Sequence, residues 1–152
     1  MVLLEDRANA QIANGFVQEV SPIRSRRIQI LPEAGGWHEV LDKFEDQHVP
    51  EMDLFEQRLM VLVMDLDDRL DRLTDARNQI PERLKNRVFI IGVRSEPERL
   101  RQILGTSYES IGAALARDCR DDTSTTWGHE LLVHNADEVH RLGQRVRPLL
   151  FT

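Results

Sequence analysis

The chain has a single cysteine, Cys119, in 152 residues. That excludes a disulfide framework and a cysteine-ligated zinc site. It has two lysines, Lys43 and Lys85, and the rest of its positive charge is arginine, whose planar fork suits phosphate and carboxylate groups. Positive charge is itself in deficit. A formal net charge of −6 argues against a protein that simply coats DNA or RNA, because phosphate contacts dominate that affinity. It does not exclude an enzyme whose metal ions neutralise an acidic cluster. No apolar run approaches the length of a membrane span, and the N-terminus is too short and acidic for a signal peptide. A cytoplasmic protein with no membrane partner is the expectation. Tyr108 is the sole tyrosine, and its place before a helix gives no support to covalent tyrosine chemistry.

What is present is the composition of a folded domain, 41% apolar and 30% charged, with enough length to bury a core. Short apolar runs at 2–4, 27–31, 59–65 and 87–93 read as strands. Helical spacing recurs over about 8–20, again from Trp37 to Phe44, after Ser95, over 107–119 and over 128–143, before a tail at 146–151. The segment 48–57 reads as a connector with room for one helical turn, and 70–73 as a helical turn followed by a polar stretch to Pro81. Ser95-Glu96-Pro97-Glu98 has the form of a capping box. Strands alternating with helices specify an α/β sandwich on a mainly parallel sheet. The expectation is one domain over 1–152, with its core at about 1–105 and a helical extension at about 106–152.

The most informative stretch is Val61-Leu62-Val63-Met64-Asp65-Leu66-Asp67-Asp68. An all-apolar run is the habit of a strand buried in a parallel sheet, and such sheets bind ligands at the carboxyl ends of their strands. At an extended exit, Asp65 and Asp67 point to one side, an arrangement suited to Mg²⁺. Alone, the motif equally suits a solvated turn with Asp68 capping the next helix. The first strand also ends in acids, Glu5 and Asp6. In a 2-1-3-4 strand order the two acidic ends are neighbours at the topological switch point.

In these residues the chain resembles the Toprim domain of topoisomerases, primases and small or overcoming-lysogenization-type nucleases. Glu5 in Leu3-Leu4-Glu5-Asp6 matches the glutamate after that family's first strand, and Asp65 and Asp67 match its Asp-x-Asp after the third. The resemblance covers about residues 1–100. It implies a Toprim-like, Rossmann-like three-layer sandwich with a four-stranded, mainly parallel sheet. It also implies Mg²⁺ (or Mn²⁺) held by Asp65, Asp67 and Asp68, with Glu5 as metal ligand or general acid/base in phosphodiester chemistry. DNA or RNA would be the substrate. Asp6 and Arg69 stand where many members have glycine. The alternative reading is a non-catalytic Toprim-like subunit of a larger complex, for instance in phage defence, with a protein partner or a second copy at the C-terminal helices.

Two phosphotransfer families fit less well. A receiver domain and a haloacid-dehalogenase-like phosphatase both need a late lysine, and none follows Lys85. Arg94 and Arg69 are the expected phosphate contacts, and Glu96 adds an acid on the same edge. His129 and His134 lie at i, i+5 and cannot share a metal from one regular helix. With Asp6 and Glu96 they complete the candidate set.

Overall fold

Three of the apolar runs become the strands β1 (Val2–Leu4), β2 (Met60–Val63) and β3 (Val88–Ile91) of a parallel sheet in the order β1-β2-β3. Leu3 stands opposite Leu62, and Leu62 opposite Ile90. The computed structural model describes residues 1–152. The expected fourth strand at 27–31 is reduced to one parallel bridge, Ile30 to Val2. The amide of Val2 donates to Gln29 and that of Leu31 to Val2. Beyond Pro32 the pairing is irregular, with the Ala34 amide donating to Leu4 O and that of Gly35 to Glu5 O, so no regular ladder forms. The sheet is therefore three-stranded, with this segment lying along its β1 edge.

Helices lie on both faces. They are α1 (Arg7–Gln18), α2 (Pro22–Ser25), α3 (Trp37–Lys43), α4 (Val49–Leu54), α5 (Asp71–Gln79), α6 (Pro97–Leu104), α7 (Tyr108–Asp121) and α8 (Ala136–Leu150). One face of the sheet, with Leu3, Leu62, Met64 and Ile90, packs with α3, α4 and α5 through Leu41, Met52 and Leu73. A second cluster joins α1, α6 and α7 through Ala8, Leu100, Ile111 and Leu115. Between α3 and α4 lies a π-helical turn, Phe44–His48, closed by the Val49 amide on Phe44 O. Pro50 follows at once and cannot supply the next helical donor.

Four local expectations are corrected. Segment 48–57 is largely the helix α4, and the turn at 70–73 continues as α5 to Gln79. The last helix begins at Ala136 and runs through the expected tail, because Trp127 to Leu132 is occupied by turns. The capping box does not form: Ser95 Oγ is buried without a partner, and Glu96 is the residue before α6 with no side-chain cap.

The C-terminal third covers the sheet and closes its far edge. The outward amide of Ile90 donates to Glu138 Oε2 (3.0 Å) and that of Gly92 to Asn135 Oδ1 (3.1 Å), while Asn135 Nδ2 donates back to Gly92 O (2.9 Å). An unpaired strand edge is thereby satisfied by side chains rather than left as a template for another chain.

Candidate active site at the carboxyl ends of β1 and β2

Because β1 and β2 are adjacent and parallel, their carboxyl ends deliver Glu5 and Asp65 to the same place. Glu5 N–H donates to Val63 O, continuing the ladder by one step. The Asp65 amide donates to Glu5 Oε2 at 2.7 Å. Asp65 is 6% exposed, and Oδ1 accepts from Asn9 Nδ2 at 3.2 Å. Asp6 opens α1, its Oδ1 accepting from the Asn9 amide at 3.0 Å. Asn9 thus ties the start of α1 to the β2 carboxylate.

The electrostatics are those of an acidic cluster short of cations. Burial pushes Asp65 up to about 8, the neighbouring Asp6 and Glu5 add to this, and the Asn9 amide opposes it. Glu5 is also raised, first by burial. The Asp65 N–H draws it down, and Asp6 and Asp67 push it up again. Tyr108 faces the same field: burial raises its phenol, and Glu98, Asp6 and Asp65 reinforce that against Arg101.

Asp67 and Asp68 stand apart from this pair. Both are in the left-handed region, φ 48° and 59°, at a cost of order 1–3 kcal/mol each. The turn is held by Asp67 N–H on Ser95 O (3.0 Å) and Asp68 N–H on Arg94 O (2.7 Å). Arg72 Nη1 bonds both Asp67 Oδ2 (2.9 Å) and Asp65 O (3.1 Å), with its guanidinium 4.9 Å over the Trp37 ring. Asp68 does not cap α5, whose preceding residue is Leu70. It lies 3.7 Å from Arg94 Nε.

The other candidates are scattered. Arg69 pairs with Asp71 at 2.8 Å. Arg94 is exposed on the acidic edge, its amide bonded to Leu131 O. His129 Nδ1 accepts from the Leu131 amide at 3.1 Å. His134 is half-buried, and neither ring nitrogen makes a hydrogen bond. Trp127 anchors the core with Nε1 on Leu115 O.

No group of three or more His, Cys, Asp or Glu side chains converges to cage a metal ion. The donor set at Glu5 and Asp65 is nevertheless hard oxygen and not ion-paired, with Asp65 buried and Glu5 half-buried, and Mg²⁺ is commonly held by one or two carboxylates plus substrate phosphates. The residues present fit that two-carboxylate mode and not an all-protein cage. Sequence reading missed Asn9 and Arg72. Asn9 sits one turn after Glu5 beside an apolar helical stripe, a signal visible in the sequence. Arg72, five residues after Asp67, carried none. No protein-family model, curated protein or solved structure matches the chain.

Proposed function

We propose that the chain is a small Toprim-like enzyme carrying out Mg²⁺-dependent (or Mn²⁺-dependent) phosphodiester hydrolysis on nucleic acid. The observation that carries this reading is the meeting of a buried Asp65 and a half-buried Glu5 at adjacent strand ends, acidic and without a paired cation. A divalent ion bound there would stabilise charge on the attacking and leaving oxygens. Glu5 and Asp65 would hold it, and Asp67 would join on release from Arg72. Asn9 orients the Asp65 carboxylate. Arg94 contacts substrate phosphate, its ion pair with Asp68 being long enough to exchange. Arg69 could do the same only on leaving Asp71.

The test is cleavage of single- and double-stranded DNA and RNA in Mg²⁺ or Mn²⁺, beside Asp65→Asn and Glu5→Gln. Each substitution is expected to lower the rate by at least about 100-fold. A wild-type protein inactive across metals, or an Asp65→Asn variant as active as wild type, sinks the nuclease reading. One observation favours the second reading, a non-catalytic subunit of a larger assembly: Asp67 is committed to Arg72. That reading gains if the wild type is inactive and Asp65→Asn leaves its assembly unchanged.

A further inference from the structure

A cavity of about 490 Å³ lies on the opposite face of the sheet from the α3–α5 cluster. Its floor is Val61 and Val63 of β2, and its walls include Ile12 and Phe16 of α1 and Val146 and Leu149 of α8. The gap has a physical origin. α1 is pulled against α7, where Gly15 and Gly112 let backbones touch: a Cβ on either would fall within about 2 Å of Glu109 O or Ile12 O. α8 is drawn aside to the β3 edge by Glu138. Neither helix fills the space above β1 and β2. Of the 28 lining residues 21 are hydrophobic, so the space repels water, while its size falls in the range of ligand pockets.

The charges at the cavity are of one sign. No Asp or Glu lines it, whereas Arg26, Arg27 and Arg58 do. They lie with Gln57 at the amino ends of the strands, far along the sheet from the acidic site. Arg58 pairs with Glu51, and Arg27 donates to Leu149 O at 3.2 Å. Arg26 is exposed, and its guanidinium makes neither an ion pair nor a hydrogen bond, its backbone amide alone donating to Arg24 O. Apolar walls with arginines gathered at one end suit an amphipathic anion. We infer that this cavity binds a single-chain amphipathic anion of the long-chain fatty-acid class, its chain between the sheet, α1 and α8 and its carboxylate at Arg26. The inference does not rest on the nuclease reading, although Asn9, which holds Asp65, also lines the cavity at the end away from the arginines.

The experiment is titration of the intact protein with the fluorescent fatty acid cis-parinarate, displaced by palmitate and by hexadecanol. Saturable one-to-one binding is expected, with palmitate displacing about tenfold more effectively than the alcohol. Shortening the acid by two methylenes weakens binding by about an order of magnitude. Ala13→Phe, which adds bulk from the α1 wall, lowers affinity at least tenfold. Arg26→Glu, on the surface, removes the preference for acid over alcohol. Thermal melts of both variants establish that they are folded, and Arg26→Glu carries the test if Ala13→Phe is not. Absence of saturable binding overturns the proposal, as does equal affinity for acid and alcohol. Concentration-dependent dimerisation abolished by Ala13→Phe and indifferent to palmitate also overturns it, assigning the cavity to a second copy of the chain.

Discussion

At the scale of single residues, Asp65 has the most to say. Its carboxyl is pushed up to about 8, chiefly by burial and then by Asp6 and Glu5. An unfolded aspartate titrates near about 3.9. Between those two values the unfolded chain gives up a proton that the native state keeps, so native stability falls as pH rises through the window and levels off above it. Asp65→Asn keeps the shape and the acceptor for Asn9 but cannot ionise. Its melting temperature relative to wild type is therefore expected to climb between pH 4.5 and pH 8, by the equivalent of about 1.4 kcal/mol or more. An offset that is the same at both pH values contradicts this account. The same pair reports on metal without any activity assay. At pH 8, millimolar Mg²⁺ is expected to raise the wild-type melting temperature and leave Asp65→Asn unmoved, since only an ion bound to the native state stabilises it. A flat wild-type response removes Asp65 as a ligand. The residue scale is also where the sequence was most legible: Glu5 and Asp65 were named from their strand ends, and adjacency of β1 and β2 brought them together. Asp67 was less so, because the extended exit imagined for it is a left-handed turn, and its partner Arg72 belongs to the next helix.

At the scale of elements, the position of α1 governs the site, because α1 carries both Asp6 and Asn9. Its position is set by the crossing with α7. Gly15 meets the Glu109 backbone and Gly112 the Ile12 and Phe16 backbone so closely that a Cβ at Gly112 would lie 1.8 Å from Ile12 O. Backbone cannot yield as a flexible side chain can, so Gly112→Ala must push the helices apart. The cost of such overpacking is about 1–3 kcal/mol, against a gain of under about 1 kcal/mol from better helix propensity. Gly112→Ala is expected to lower stability in chemical denaturation. Because the shift moves Asn9 away from Asp65, it should also move the Asp65 titration. Unchanged stability would mean that the helices do not touch there. Periodicity predicted both helices, but it registers a mid-helix glycine only as a weak position, and the contact it serves is between segments far apart in sequence. The same limit hid the edge closure by Asn135 and Glu138. His129 and His134 nearby were the candidates, whereas Asn135 and Glu138 are the residues whose side chains serve the amides of Gly92 and Ile90.

At the scale of the whole molecule, the α/β class was readable because apolar runs and helical stripes alternate. The strand count was not, because the edge segment pairs on one side only and its bonds to β1 lose their regular spacing around Pro32. Net charge of −6 is the other global property, and here it decides how nucleic acid would bind. Much of the arginine is already committed within the chain. Arg69 pairs with Asp71, Arg72 with Asp67, Arg83 with Asp53, Arg117 with Glu19 and Arg147 with Asp122. Arg24 and Arg27 donate to carbonyls at the end of α8. With this arginine committed, any affinity for DNA is expected to come mainly from the divalent ion and a few contacts such as Arg94. With each neutralised phosphate contributing about −0.9 to the slope of log K against log salt, a slope of roughly −1 to −3 is expected for a phosphorothioate-protected duplex in Mg²⁺. Affinity should fall at least tenfold in EDTA. Fluorescence anisotropy across a salt series measures both. A slope of −6 or steeper that persists in EDTA would mean the duplex is held by a basic face, and would overturn the proposed binding at the acidic edge of β1 and β2.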